Sequence, residues 1–314
     1  MQKVLFIDKV HPLIREELVR NKFTCDEFPG YNRHDFIKIA GRYHGIIIRS
    51  KFILDKEFLD HCLSLSFIGR VGAGMENIDV DYAQSKGIAC FNSPEGNRDA
   101  VGEHTVGMLL SLINHLNHAD RQVRNRIWDR EGNRGIEIKG RIIGIIGYGN
   151  MGSAFAQRLK CFEANVISYD KYKKEYTDGN TRETTMAELY ETADIISLHV
   201  PLTEETRYLV HSGFIHSFRK PIILINTSRG PIVNTSDLVA ALRSGKIAGA
   251  ALDVLEYEDQ SFEQLAGDLP EAYQYLCQSD QVILTPHIAG WTQESEVKLA
   301  DVLIKKILTF YHLK

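Results

Sequence analysis

Short aliphatic runs recur along the chain, each followed by a stretch in which apolar residues return every three or four positions. In the first part these runs lie at 4–7, 44–48 and 65–71, beside amphipathic stretches at 12–19, 54–63 and 80–86. A run that is apolar at every position suits a strand buried on both faces, and such strands alternating with amphipathic helices predict a parallel sheet. The pattern resumes with strands predicted at 141–146, 165–169, 193–199, 222–226, 248–254 and 281–284, and a helix at 153–162. Between the two series, Val106, Leu109, Leu110, Ile113 and Leu116 recur at helical spacing and predict one long helix over 100–124. A last helix is predicted over 294–312, beyond the final strand of the second series. If it returns to the first series, that domain is discontinuous, with 1–99 plus 291–314 forming one domain and 100–290 the other. The segment 125–138, with Trp128 among charges and glycines, reads as an exposed arm or a long surface loop.

Composition narrows the picture. A chain of 314 residues with 44% hydrophobic content accommodates about two domains with cores of their own. Lys plus Arg number 37 against 41 Asp plus Glu, and the net charge of −4 gives no general attraction to nucleic acid or an acidic membrane. No apolar run is long enough to span a bilayer, and the strand-like N-terminus lacks a signal-peptide core, so neither membrane nor secretion is expected. Five cysteines without a C-x-x-C pair favour reduced thiols, a cytoplasmic location and no metal. Cys161 and Cys62 are expected to be small buried hydrophobes.

The sharpest chemical signal is G-x-G-x-x-G at Gly147, Gly149 and Gly152, placed between a predicted strand and a predicted helix. In a dinucleotide site the first glycine allows the tight turn, the second lets the backbone approach a pyrophosphate, and the third lets helix and strand pack closely. The pyrophosphate then meets the helix N-terminus. Asp170 ends the next predicted strand, placed to accept from the adenosine ribose hydroxyls and to repel a 2′-phosphate. That favours NAD. The lysines that follow, Lys171, Lys173 and Lys174, are a solvated loop unless they turn inward to accommodate NADP.

Taken together, residues 71–79, 97–105, the fingerprint and three later blocks resemble the D-isomer-specific 2-hydroxyacid dehydrogenases over nearly the whole chain. The resemblance implies two Rossmann-like doubly wound domains around a cleft, NAD as cofactor, a small anionic 2-hydroxy or 2-keto acid as substrate, and a homodimer built around 100–138. It carries Arg229 over as the holder of the substrate carboxylate, a task suited to a planar, permanently charged guanidinium. Asp253 is carried over to the nicotinamide side of the cofactor, Glu258 as the partner of the catalytic histidine, and His287 as the acid and base. Glu256 is a competing carboxylate, and Asp259 stands where the family usually has proline.

By the same resemblance Asn150 and Met151 lie near the pyrophosphate, Val200 and Pro201 beside the adenosine, Thr227 and Ser228 near the nicotinamide, and Gly290 by its carboxamide. Ala73 and Thr105 join the cofactor contacts. Gly72, Ala73, Gly74 and Asn97 face the substrate, while Arg49 and Arg70 match positions that hold the anionic substrate of phosphoglycerate dehydrogenases. These arginines tilt the substrate toward 3-phosphoglycerate, with glycerate, glyoxylate or a sugar-acid phosphate as alternatives.

Oxidising a 2-hydroxy acid needs a group that takes the hydroxyl proton as hydride leaves the same carbon. An imidazole with its other nitrogen on a carboxylate meets that need. A corepressor-like NAD(H)-sensing protein is the rival reading, distinguished by an absence of turnover. Formate dehydrogenases and L-specific lactate or malate dehydrogenases are disfavoured, the latter because about 140 residues precede the fingerprint. The regulatory domain appended to many phosphoglycerate dehydrogenases is not expected here. Residues 259–280 form a longer spacer than usual and read as a lid, an interface patch or a plain insertion.

Overall fold

A computed structural model describes residues 2–259, 264–265 and 267–313. They divide into two compact units, Met1–Arg98 with Asp259–Gln264 and Trp291–Lys314, and Asp99–Glu258 with Leu265–Gly290.

Unit 1 contains strands β1 (Lys3–Phe6), β2 (Thr24–Glu27), β3 (Gly45–Ile48), β4 (Phe67–Arg70) and β5 (Ala89–Phe91), all parallel, in the order β2-β1-β3-β4-β5. Helices α1 (Pro12–Arg20), α2 (Arg33–Ala40), α3 (Lys56–Asp60) and α4 (Val80–Ser85) connect them. Successive β1 side chains enter opposite cores: Leu5 packs with Phe36, Phe58 and Leu59, whereas Val4 and Phe6 pack with Ile14, Leu18, Leu303 and Ile307. That two-sided burial is why the run 4–7 is apolar at every position. β2, α2 and β5 have no counterpart among the predicted elements. The polar Thr24, Asp26 and Glu27 of the edge strand β2 hide it from a hydrophobicity reading.

The unit boundary falls within α5 (Pro94–Ile113), which is followed by α6 (Leu116–Arg124). These replace the single predicted helix. The Ile113 carbonyl accepts from Ile136 N–H, and His115 adopts a left-handed φ of 52°, so the chain turns before α6 begins. Leu116 is consequently 54% exposed, not packed in line with Leu109 and Ile113.

In unit 2 the chain forms β6 (Ile142–Ile146), α7 (Asn150–Leu159), β7 (Asn165–Tyr169), β8 (Arg182–Glu183), α8 (Met186–Thr192), β9 (Ile195–Leu198), α9 (Ser212–Ser217), β10 (Ile222–Asn226), α10 (Thr235–Arg243), β11 (Ile247–Leu252), α11 (Glu271–Gln278) and β12 (Val282–Leu284). The seven strands are parallel in the order β12-β11-β10-β9-β6-β7-β8. Strand order reverses between β6 and β9, and ligands of open α/β sheets bind at the carboxyl ends of strands beside such a reversal. One core joins Leu109, Leu112 and Phe155 to one face of the sheet, and another joins Leu189, Phe214, Leu238 and Leu276 to the opposite face. α12 (Gln293–Phe310) belongs to unit 1, where it packs on α1 and β4.

Within the 259–280 spacer, α11 is an ordinary crossover helix of the sheet, with Leu276 buried and Tyr275 under the Arg243 guanidinium at 4.8 Å. That part is therefore not a lid, while residues 260–263 and 266 lie outside the described residues. Of the thiols, Cys62 is buried and burial pushes it up to about 12, but Cys161 is exposed in the turn after α7, contrary to the expectation of burial. Among the described residues no helix is long and apolar enough to cross a membrane.

Candidate active site

The residues singled out in unit 2 follow the carboxyl ends of its parallel strands and so share one edge of the sheet. Behind β6, Gly147 has φ +94°, and a Cβ there would lie 2.4 Å from the His199 carbonyl oxygen. Only glycine satisfies both constraints. A Cβ on Gly152 would lie 2.1 Å from the Gly147 carbonyl oxygen, so this glycine sets the approach of α7 to the strand. Gly149 differs: no heavy atom lies within 4 Å of the position a Cβ would take. It is also the N-cap of α7, without a side-chain cap, so the first N–H groups of Asn150, Met151 and Gly152 lack an internal helical partner. Open space beside helix N–H donors fits a pyrophosphate.

Asp170, after β7, is fixed by three main-chain donors: Tyr148 N–H at 2.8 Å, and Tyr172 and Lys173 N–H at 2.9 Å each. Burial pushes its carboxyl up, but these N–H groups and the nearby Lys173 ammonium outweigh burial and hold it below the usual carboxylate range. Oδ2 carries just one of the three bonds, and a carboxylate oxygen can accept two. The lysine loop is not merely solvated. Lys171 pairs with Glu205, and Lys173 Nζ donates to the Tyr148 carbonyl inside the fingerprint at 2.8 Å. Val200, half-buried after β9, packs at the Gly147 turn, and Pro201 is exposed beside it.

Arg229, Glu258 and His287 follow β10, β11 and β12, three adjacent strands. The Arg229 loop is tied down from several sides. Ser228 Oγ donates to Leu198 O at 2.6 Å, Asn226 Nδ2 donates to Arg229 O at 3.0 Å, and Arg229 Nη1 donates to Ser228 O at 2.6 Å. A Cβ on Gly230 would lie 1.8 Å from Leu255 O, so this loop packs directly on the one that carries Glu258.

The competing carboxylates separate cleanly. Glu256 accepts from Tyr208 OH at 2.7 Å and Thr235 N–H at 3.0 Å, which fixes the start of α10. Glu258 accepts from Leu255 N–H at 2.5 Å through Oε1, while its Oε2 lies 2.6 Å from His287 Nδ1. The histidine and carboxylate are largely buried, with 23% and 14% of their side chains exposed. An Nδ1 hydrogen bond to carboxylate places the proton on that nitrogen and leaves Nε2 as the working atom of the neutral ring.

His287 itself is held in the left-handed region, φ 54°, by its N–H bond to Asp253 O at 2.7 Å. The Asp253 side chain completes this clamp: it accepts from Thr285 Oγ1 (2.6 Å), Ile288 N–H (2.9 Å) and Ala289 N–H (2.8 Å). Burial raises its carboxyl, but the bonds from His104, Thr285, Ala289 and Ile288 outweigh burial and hold it below its ordinary value. With 1% exposure, Asp253 lies behind the His287 turn in this conformation. Thr105 is likewise fully buried, and its hydroxyl bonds Val101 O at 2.6 Å and lies 3.3 Å from Thr227 Oγ1. Both side chains brace residues at the rim. Gly290 ends the turn, one residue before the chain re-enters unit 1.

Unit 1 presents its own candidates. Arg70 ends β4 and is only 8% exposed, with its guanidinium folded over Gly72: a Cβ on Gly72 would lie 1.5 Å from Arg70 Nη1. Gly72 has φ +151°, and Ala73 O accepts from Asn92 Nδ2 at 2.6 Å, which secures the turn through Gly74. Asn97, in the first turns of α5, has a buried Oδ1 without a partner. Arg49 follows β3.

Sequence reasoning missed His104, whose Nε2 lies 3.2 Å from Thr285 Oγ1 and 3.5 Å from Asp253 Oδ1. Its position next to Thr105 was the available signal, but pairing across 149 positions to Asp253 leaves no local pattern.

The D-isomer specific 2-hydroxyacid dehydrogenase NAD binding domain model matches residues 106–289. D-3-phosphoglycerate dehydrogenase of Archaeoglobus fulgidus is 32% identical over 308 residues, covering 98% of this chain and 56% of the relative. The chain thus spans about half the length of that protein. Hydroxypyruvate reductase of Thermotoga maritima is 32% identical, with 94% of this chain and 95% of the relative covered. In structure, D-lactate dehydrogenase of Aquifex aeolicus, solved with NAD and lactic acid, superposes with a TM-score of 0.84 at 27% identity, covering 99% of this chain and 96% of that one. On these matches, and with the strand order and glycine turn that its NAD binding domain requires, the chain belongs to the D-isomer specific 2-hydroxyacid dehydrogenase family.

Proposed function

We propose that this chain interconverts a D-2-hydroxy acid and its 2-keto acid, using NAD. The observation that carries the reading is the 2.6 Å His287–Glu258 pair, set on the same sheet edge as the glycine turn. When bound, the nicotinamide supplies or accepts the hydride. The chain's own groups do the rest. Arg229 holds the substrate carboxylate with a planar pair of N–H donors and polarises the C2 oxygen. His287 Nε2 removes the hydroxyl proton during oxidation and returns it during reduction. Glu258 stabilises the imidazolium that forms and keeps the ring oriented.

In the same reading unit 1 is the substrate domain and unit 2 the NAD domain. Gly147, Gly149, Asn150, Met151 and Gly152 hold the pyrophosphate, Oδ2 of Asp170 a ribose hydroxyl, Val200 and Pro201 the adenosine, and Thr227, Ser228 and Gly290 the nicotinamide end. Gly72, Ala73, Gly74, Asn97, Arg49 and Arg70 serve the substrate, and these two arginines favour a substrate with a second anionic group. 3-Phosphoglycerate is the first candidate. The relatives named as phosphoglycerate dehydrogenase and as hydroxypyruvate and glyoxylate reductases support the class. Two copies pair through the exposed apolar side chains Leu116, Val123, Ile127, Trp128 and Ile136, a larger display than a lone surface favours.

The test is a panel of 2-keto acids, including 3-phosphohydroxypyruvate, hydroxypyruvate and glyoxylate, assayed with NADH and NADPH beside a His287→Asn variant. Turnover with NADH that vanishes in the variant is expected. A failure of the purified protein to turn over any member, while still binding NADH, would favour a cofactor-sensing protein. For pairing, Val123→Glu should halve the mass measured by light scattering. A monomeric parent protein would remove the dimer.

A further inference from the structure

Arg49 leaves the carboxyl end of β3 with its main chain pinned. The Asp8 carboxylate accepts the N–H groups of Arg49, Ser50 and Lys51, the latter two at 3.1 and 3.4 Å, and Asn77 Nδ2 donates to the Arg49 carbonyl at 3.4 Å. The side chain is held by a different partner. Its guanidinium carbon lies 4.7 Å from the ring centroid of Trp291, also in unit 1.

Trp291 is 65% exposed, and nothing in the local fold calls for an indole. It immediately precedes α12, whose N-cap Thr292 forms a complete capping box with Ser295. An apolar residue in that place can staple the helix entry by packing on the fourth helical residue, but here that residue is Glu296. The helix is capped without the tryptophan. What the indole does meet is the Arg49 guanidinium, whose carbon lies over the ring, and it stands four residues after His287 in the chain.

A guanidinium stacked on an aromatic ring is gripped by its face and hydrogen-bonds through its in-plane N–H groups, the geometry that matches an oxyanion bidentately. Fixing that plane beforehand reduces the side-chain entropy lost when an anion binds. We propose that Trp291 is a specificity-determining positioning residue: it orients Arg49 to receive a second anionic group of the 2-keto acid, a phosphate or a second carboxylate. This rests on the reading of Arg49 as a substrate residue.

Two measurements test it. In kinetics, Trp291→Leu should raise KM for 3-phosphohydroxypyruvate about five- to tenfold, leave kcat within about twofold, and leave KM for hydroxypyruvate, which lacks the second anion, unchanged. Arg49→Gln should act in the same direction, and the double variant should add little to Arg49→Gln alone. A Trp291→Leu effect equal for both keto acids, or no effect, would overturn the proposal.

The second readout needs no turnover. The chain has two tryptophans, so Trp128→Phe leaves Trp291 as the sole indole emitter. In that background Arg49→Gln should shift the emission. 3-Phosphoglycerate should change the emission of the protein that retains Arg49 and leave that of the Arg49→Gln variant unaltered. An anion response without turnover of any keto acid supports the Trp291–Arg49 site while sinking the dehydrogenase reading. Emission indifferent both to Arg49→Gln and to the anion, in a protein that does turn over keto acids, sinks the Trp291 proposal alone.

Discussion

The two parallel sheets end in rims that differ in the balance of charge. Around the carboxyl ends of unit 2's strands the carboxylates Asp170, Asp253, Glu256 and Glu258 stand beside the Arg229 guanidinium. At the corresponding ends of β3 and β4 in unit 1 stand guanidiniums, Arg49 and Arg70, with Asp8 clamping the main chain beneath the first. The rims use their charges differently. All four carboxylates of unit 2 accept main-chain N–H groups and thereby fix loops; Glu258 also reaches the His287 imidazole, and Asp253 that of His104 behind it. The guanidinium of Arg49 lies over an indole and that of Arg70 over a glycine. An acidic residue at a strand end is therefore weak evidence for chemistry until its partners are known.

The sharpest way to break this contrast is to remove the imidazole or its carboxylate. His287→Asn, which tolerates the left-handed backbone, should lower kcat about 10²- to 10⁴-fold with the melting temperature nearly unchanged. Glu258→Gln should lower it about 10- to 100-fold. If Glu256→Gln lost comparable activity, the division between the two glutamates would be wrong.

Asp253→Asn comes next and acts on stability. It turns an NH₂ group or a weaker acceptor toward the Ile288 and Ala289 N–H groups, at a cost of about 1–3 kcal/mol near neutral pH. Because the folded carboxyl is held below its unfolded value of about 3.9, its stabilisation is present above that pH and is lost as pH falls through the folded value. Denaturant midpoints of parent and variant should thus converge in acid. A gap that widened as pH fell would show that Asp253 is neutral in the fold.

Gly72→Ala probes the basic rim. The positive φ and the Arg70 guanidinium oppose a methyl group there, so a loss of about 1–2 kcal/mol is expected, together with a raised KM for the acid substrate and an unchanged KM for NADH. Smallest is Glu256→Gln, which should cost about 1 kcal/mol in thermal unfolding through its Tyr208 and Thr235 bonds and leave kcat alone.

The strands and the glycine turn were legible because their signals are local. Two-sided burial makes β6 apolar throughout and β10 apolar up to Asn226, and the backbone requirements of Gly147 and Gly152 leave glycine at fixed spacing. The edge strands β2, β5 and β8 and the break after Ile113 were not legible, whereas the edge strand β12 was. β2 is polar, and the turn at His115 depends on a carbonyl taken by Ile136, which no periodicity records.

The candidate chemistry divides along the same line. Residue type and order along the chain determined that an arginine, a carboxylate and a histidine follow three successive strands behind a dinucleotide turn. Tertiary structure decided which carboxylate reaches the histidine, why Asp253 and Thr105 stand behind the rim, and that an indole faces Arg49. Those outcomes rest on contacts between positions from 21 to 242 residues apart, and distances of a few ångströms across such separations leave no trace in local pattern.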